Sequence, residues 1–132
     1  TDDPLKTFWH GHSYTGNPIG CAAGLASWDL LVQNEERFKN LEPVHLKNME
    51  KLAHHPRLKN FRVKGTIAAV DIVNDEEDGY YNSIATYIKK ECLDLGYLFR
   101  PLGNTFYLMP PYCVSSDEID GMYAALKQLV GK

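Results

Sequence analysis

The hydrophobic pattern of the N-terminal part of the chain is helical. Apolar residues recur at helical spacing over residues 18–34 and again over residues 38–52, whereas residues 1–14 are predicted to be irregular or extended. Pro43 is tolerated in the first turn of the second segment, where its missing N–H would be unpaired in any case, and Pro56 ends that segment. The two segments are predicted to form either successive helices or one long kinked helix.

Two later stretches have the composition of β-strands. β-branched residues dominate residues 61–73, and Gly65 in their middle predicts either two short strands or one bulged strand. Residues 97–100 and 105–109 predict the two strands of a hairpin, joined by a turn at residues 101–104 that contains Pro and Gly.

Two further helices complete the pattern. Residues 83–95 place apolar side chains on one helical face, and Gly96 supplies a left-handed stop. Ser115 and Glu118 form a capping box before a terminal helix. The acidic residues 74–79 lack the alternating ligands of a calcium loop and predict a solvated loop. The order helices, strands, helix, hairpin and helix predicts an α+β fold, in which a small mixed or antiparallel sheet carries helices on one face.

Composition narrows the class of protein. The chain has 132 residues, 44% of them hydrophobic and 23% charged, with a formal net charge of −3. Scattered Lys and Arg residues provide no basic surface for nucleic acid, and the apolar runs are too short to cross a membrane, so neither is an expected partner. Residues 36–132 are predicted to form the small α+β domain, and residues 1–35 a loop and helix attached to it as an arm.

Cysteine usage indicates the compartment. Cys21, Cys92 and Cys113 are at no metal-ligand spacing and predict free thiols, packed as small hydrophobes in a reducing, cytoplasmic location. The chain does not begin with Met and reaches a dense motif almost at once, so we expect a piece of a longer protein.

That motif, residues 10–18, concentrates the candidate functional groups near the N-terminus. Asn17 has the chemistry of a helix N-cap, and Pro18 suits the first helical position. A helix N-terminus beside a loop of hydroxyls and glycines suits a phosphate or another anion, and the alternative is a simple helix cap. His10 and His12 would need a third protein ligand to hold zinc, and the spacing offers none, so no metal is predicted.

Arg100 is the most specific candidate for a binding residue in the second half of the chain. It lies where a predicted strand meets a Pro-containing turn, with aromatic residues nearby. A guanidinium at such a place can hold a carboxylate through two parallel hydrogen bonds. The alternative is an ordinary ion pair with one of the acidic residues of the chain. Lys64, on a predicted strand, is expected to be a surface residue.

Two segments resemble a known family. His10-Gly11-His12-Ser13-Tyr14-Thr15-Gly16-Asn17-Pro18, followed by a helix of small residues, resembles the segment after the cofactor lysine in class III pyridoxal-phosphate (PLP) aminotransferases. Arg100 to Tyr112 is similar to the C-terminal signature of the same family. The resemblance implies the small C-terminal domain of a fold-type I PLP-dependent transferase, preceded by an arm and an interdomain helix.

The resemblance also implies roles for individual residues. Ser13 and His12 would bind the cofactor, with the Ser13 hydroxyl on the phosphate of the PLP held by the neighbouring subunit of a homodimer. Arg100 would bind the substrate carboxylate, Tyr107 would shape the pocket, and Gly11 would allow the backbone to approach the substrate closely. The lysine that forms the Schiff base is implied to lie outside this chain, which would then hold no catalytic residue and be inactive alone.

The run from Tyr107 to Tyr112 resembles one branch of the family. That branch transfers the amino group of S-adenosylmethionine to 8-amino-7-oxononanoate in biotin biosynthesis, giving 7,8-diaminononanoate. Two alternatives stay open: another class III transaminase, acting on ω-amino acids or acetylornithine, and a non-catalytic dimerisation or ligand-binding module.

Overall fold

The computed structural model describes residues 2–131, so Thr1 and Lys132, which end the two predicted domains, lie outside the described residues. Contacts between residues divide the chain into two compact units, Thr1–Glu35 and Glu36–Lys132. Each unit has its own local organisation.

The first unit contains a short 3₁₀ turn at Pro4–Lys6 and the helix α1, Pro18–Gln33. The predicted start of this helix is confirmed. The Asn17 side chain accepts hydrogen bonds from the N–H groups of Ile19 and Gly20, at 3.0 and 3.1 Å. These bonds pair two of the four N–H groups that a helix leaves free at its first turn.

α1 is apolar around its whole circumference and buries none of its residues. Most of its large side chains, including Leu25 and Trp28, are more than half exposed. Cys21 is exposed as well, and so is Cys113, so the expectation that these thiols pack as small hydrophobes is wrong for both; only Cys92 is buried. The reason for Cys21 is that no part of its own unit covers α1.

The second unit is an α+β fold, as predicted. Its helices are α2 (Glu35–Lys39, whose first residue is the last of the first unit), α3 (Leu41–Glu50), α4 (Ile84–Asp94) and α5 (Ser116–Val130). Its strands are β1 (Leu58–Lys64), β2 (Ile67–Ile72) and β3 (Thr105–Leu108). The strands form an antiparallel sheet in the order β1-β2-β3. Residues 18–52 therefore form successive helices rather than one kinked helix.

Both interpretations of residues 61–73 hold in part. β1 and β2 are separate strands that turn at Gly65, whose φ of +57° is the left-handed conformation glycine adopts without strain. The pairing also shifts register between Lys59 and Arg62, where Asn60 has a φ of +54°. β1 is thus a bulged strand within a two-stranded hairpin.

The predicted strand at residues 97–100 is wrong, and the hairpin with β3 is reduced to one bridge between Leu102 and Thr105. Ring packing places this segment instead: Tyr97 and Phe99 stack with centroids 5.3 Å apart, and Phe99 meets Phe106 edge-on at 4.9 Å. Pro101 has no N–H to donate to a neighbouring strand. The aromatic side chains that favour a strand at residues 97–100 instead pack through their rings.

One face of the sheet and the helices enclose the core. Ala68, Val70 and Ile72 of β2 are each 1% exposed, and Ile119 and Leu126 of α5 are buried with them. The capping box at the start of α5 is confirmed in both directions. Among the helices formed by residues 2–131, none combines the length and apolar character needed to span a membrane.

A buried polar pair joins α3 to α5. His45 is fully buried, and its Nδ1 lies 2.9 Å from the hydroxyl of Tyr123. Burial lowers the pKa of His45 and raises that of Tyr123, while the Thr66 backbone offsets part of the effect on His45. The pair is therefore neutral near pH 7 and links the two helices without a buried charge.

A charged cluster holds the sheet together on its other side. Burial raises the pKa of Asp71 on β2, but hydrogen bonds from Arg62, Asn60 and Thr105 outweigh that effect and lower the pKa to about 2. The distances to these three donors are 2.7, 2.9 and 2.8 Å. Asp71 thereby connects β1 to β3 across the central strand.

The low pKa of Asp71 predicts a specific acid sensitivity. Its ordinary value is 3.8, so the stability it contributes is fully present above that pH and is lost as the pH falls toward about 2. Asp71→Asn is expected to lower the free energy of unfolding of the 132-residue chain by about 1–2 kcal/mol near neutral pH and to flatten the acid dependence. Urea midpoints near pH 7 and pH 3 measure both effects. Asp75→Asn, in the exposed acidic loop, is the control, and equal losses in the two variants would contradict the prediction.

Candidate functional site

A groove of about 330 Å³ lies beside β3 in the second unit. Its lining combines one cation and one phenol with apolar side chains: Arg100, Tyr107, Leu98, Met109, Pro110 and Met122. Leu98 and Met109 are 81% and 63% exposed, so the rim of the groove is apolar and open to solvent. A mostly apolar cleft with a few convergent polar groups is the usual form of a small-molecule site.

Arg100 is the only cation that lines this groove among the described residues. Across residues 2–131, its guanidinium has no hydrogen-bond or ion-pair partner, so the alternative of an ordinary intramolecular ion pair is not realised. An Arg with its five donors free beside an apolar surface is chemically suited to a carboxylate, which can accept two of them at once.

Tyr107 shares the groove with Arg100, so the structure brings together two of the predicted site residues. It is half-buried on β3, between the buried side chains of Phe106 and Leu108. β3 alternates because successive side chains of a strand point to opposite faces. The neighbours of Tyr107 anchor β3 in the core, while Tyr107 itself faces the groove.

Asn104 is a structural residue that sequence reasoning missed. It is 1% exposed, accepts a hydrogen bond from the Gly79 N–H at 3.0 Å, and donates to Asp78 at 2.8 Å and to the Ile72 carbonyl at 3.2 Å. It thereby fastens the acidic loop to the turn between Arg100 and β3. Residues 101–104 were predicted as a turn, but nothing in their sequence signals that the Asn is buried.

Gly103, beside Asn104, shows how tightly this turn packs. A Cβ atom on Gly103 would lie 1.7 Å from the Gly79 carbonyl oxygen, and its φ is +57°. No other residue fits that position without displacing the acidic loop. The turn that follows Arg100 is therefore packed closely against the acidic loop.

The first unit carries the other predicted site residues on the loop before α1. His12 is held inside this loop, because its Nδ1 accepts from the Tyr14 N–H at 3.1 Å and its own N–H donates to Thr15 Oγ1 at 3.0 Å. Ser13, between them, is exposed, and its hydroxyl has no partner among residues 2–131. A Cβ atom on Gly11 would meet nothing within 4 Å, so the need for glycine there stays a prediction.

The loop before α1 offers a phosphate fewer free donors than the sequence predicts. Asn17 already pairs the N–H groups of Ile19 and Gly20, so these two are not open to an anion. The Ser13 hydroxyl, which has no partner among residues 2–131, is one donor that the loop offers instead. For metals, the described part of the chain contains no group of three His, Cys, Asp or Glu side chains placed to hold an ion. Lys64 is exposed on β1, as expected.

Comparisons with known proteins show the family of the chain. Residues 2–130 match the family described as aminotransferase class III. The adenosylmethionine-8-amino-7-oxononanoate aminotransferase of Synechococcus elongatus is 45% identical over 128 residues, which cover 97% of this chain and 30% of that protein. The protein of the same name from Geobacter sulfurreducens is 34% identical over 96% of this chain. An omega-aminotransferase of Caulobacter vibrioides is 29% identical over 99%.

Solved structures show the same fold. The structure "Transaminase with L-ala" aligns with a TM-score of 0.81 at 21% identity, covering 96% of this chain and 31% of that one. The adenosylmethionine-8-amino-7-oxononanoate aminotransferase of Methanocaldococcus jannaschii aligns with a TM-score of 0.73 at 28% identity, covering 92% and 30%. The chain thus spans about 30% of the length of its curated relatives. Since the family match extends over residues 2–130, the chain belongs to the class III aminotransferases.

Proposed function

We propose that this chain is the C-terminal part of a PLP-dependent aminotransferase that moves the amino group of S-adenosylmethionine to 8-amino-7-oxononanoate, in biotin biosynthesis. The observation that carries the proposal is Arg100, which lines an apolar groove and has no partner among residues 2–131. The support for the substrates is the 45% identity to the Synechococcus elongatus protein, whose name contains both.

The groove suits one end of the keto acid. Arg100 holds the carboxylate through two parallel hydrogen bonds, and the apolar rim formed by Leu98 and Met109 packs against the aliphatic chain. Tyr107 narrows the groove beside Arg100 and limits the bulk that it accepts. The negatively charged end of the keto acid thus meets the positive charge of Arg100, and its methylene groups meet the apolar rim.

The loop before α1 suits the cofactor. PLP acts as an electron sink when bound, which is the chemistry that amino-group transfer requires. The Ser13 hydroxyl would donate a hydrogen bond to the cofactor phosphate of the neighbouring subunit. His12 lies beside Ser13 and holds the backbone of the loop by accepting from the Tyr14 N–H. Gly11 leaves space for the substrate at the start of the same loop.

The rest of the parent enzyme supplies what this chain lacks. We place the Schiff-base lysine in the remaining length of the parent, because the chain spans about 30% of its relatives, and we expect the chain alone to be inactive. The first unit is the arm and interdomain helix of the large domain, and the second unit is the small domain. The parent is a cytoplasmic homodimer.

A second candidate is a transaminase of the same class with another amino donor. The 29% identity to an omega-aminotransferase over nearly the whole chain favours it over any unrelated function. A donor screen on the full-length enzyme separates the two, since the first candidate requires S-adenosylmethionine and the second an ω-amino acid.

Loss of the Arg100 guanidinium is expected to weaken binding of the keto acid selectively. In the full-length enzyme, Arg100→Ala should raise KM for 8-amino-7-oxononanoate by about 30-fold or more, the worth of a charged, bidentate hydrogen bond, and change KM for the sulfonium donor by less than about threefold. Steady-state kinetics with each substrate varied in turn measures this. Lys64→Ala, which removes an exposed cation outside the groove, is the control. Equal effects on both substrates would contradict the assignment.

Loss of the Ser13 hydroxyl is expected to weaken cofactor binding. Ser13→Ala should raise the Kd of PLP by about tenfold or more, the worth of one hydrogen bond to a charged acceptor, while Ser13→Thr should stay close to the parent. Fluorescence titration of the cofactor-free, full-length enzyme with PLP gives both constants. An unchanged Kd in Ser13→Ala would remove Ser13 from the phosphate site.

A further inference from the structure

The segment after β3, residues 109–114, forms one wall of the groove and is called here the wall loop. Met109, Pro110 and Pro111 line the groove together with Arg100. Two consecutive prolines remove two backbone donors, so the wall loop cannot continue the ladder of β3. A bond from the Val114 N–H to the Pro111 carbonyl, at 3.0 Å, closes its C-terminal end. The remaining restraints come from elsewhere in the second unit.

The first restraint is Arg37 on α2. One terminal nitrogen of its guanidinium donates to the Cys113 carbonyl at 2.6 Å and lies 3.4 Å from the Val114 carbonyl. A charged donor on a neutral carbonyl is among the stronger hydrogen bonds of a protein. Arg37 therefore holds the end of the wall loop at two consecutive carbonyls.

The next residue of α2 adds a ring contact. Phe38 packs on Tyr112 with centroids 4.7 Å apart. Arg37 and Phe38 thus contact three consecutive residues of the wall loop, so the short α2 helix restrains its C-terminal half. The contact has a polar part, from Arg37, and an apolar part, from Phe38.

The second restraint is the turn between β1 and β2. The Thr66 hydroxyl donates to the Pro110 carbonyl at 3.2 Å. This turn is itself fixed, because the Gly65 N–H donates to the Glu42 carboxylate of α3 at 2.5 Å. The groove side of the wall loop is therefore tied to α3 through two hydrogen bonds.

We propose that Arg37 is a positioning residue that sets the width of the groove beside Arg100, with Thr66 as its counterpart at the other end of the wall loop. The inference rests on the proposed function. Arg100 anchors the carboxylate, whereas the wall loop contacts the methylene groups that follow it. Without the Arg37 side chain, the wall loop must be ordered each time the aliphatic chain binds. The affinity for the keto acid therefore falls, while the chemical step is unchanged.

The test compares two arginines that each donate to backbone carbonyls. Arg57 donates to the Val130 carbonyl at 3.2 Å, at the end of α5, and does not touch the wall loop or the groove. Arg57→Ala is therefore the matched control for Arg37→Ala. Isothermal titration of each full-length variant with nonanoate, a linear monocarboxylate, reports groove binding without catalysis.

Arg37→Ala is expected to raise the Kd of nonanoate and KM of the keto acid by about fivefold to tenfold, with kcat and KM of the amino donor within about twofold of the parent. Arg37→Lys should restore part of the affinity, and Arg57→Ala should leave the nonanoate Kd unchanged. If Arg37→Ala does not fold, Thr66→Val removes the other tie and should shift the same two constants in the same direction.

The outcomes separate this inference from the proposed function. If Arg100→Ala weakens nonanoate binding while Arg37→Ala and Thr66→Val behave like Arg57→Ala, the inference is overturned and the proposed function stands. If Arg100→Ala leaves nonanoate binding unchanged, the proposed carboxylate site is overturned, and the role of Arg37 falls with it.

Discussion

The pairing of β3 with β2 is the constraint on which the rest of the second unit depends. β3 is only four residues long and lies at the edge of the sheet, yet Phe106 and Leu108 place it in the core through their burial against the helices. Arg100 and its turn precede this strand, and the wall loop follows it. Both chain segments that flank β3 in the groove are therefore positioned relative to one short strand, which is fixed by backbone pairing on one side and apolar burial on one face.

Polar interactions fix the two segments that flank β3. Asn104 is buried and fully bonded, so it fastens the turn after Arg100 to the acidic loop, where an unpaired amide would be costly. Arg37 and Thr66 do the same for the wall loop, from the surface. The groove is thus held rigid at both ends of β3 while its own lining stays mostly apolar. Rigid walls reduce the ordering that a flexible ligand imposes when it binds.

The two units differ in how much apolar surface they bury. The second unit buries a continuous core between its sheet and helices. The first unit instead exposes the apolar side chains of α1 and the Ser13 hydroxyl, although its loop and helix cap satisfy much of their own hydrogen bonding. Such a unit has local order without a core. This contrast agrees with a chain that spans about 30% of the length of its relatives.

The sequence by itself determined the features that are governed by local chemistry. The Asn17 cap, the turn at Gly65 and the capping box of Ser115 follow from short-range hydrogen bonding and allowed dihedral angles, and the amphipathic face of α5 follows from its period. Local rules could not tell that residues 97–100 pack through rings instead of pairing, because that choice depends on how Tyr97, Phe99 and Phe106 meet in the packed structure. Nor could they find Asn104 or Arg37, whose partners lie far along the chain. Only the tertiary structure decided that Arg100 has no partner among residues 2–131 and shares a groove with Tyr107, since both facts depend on which surfaces the packed core brings together.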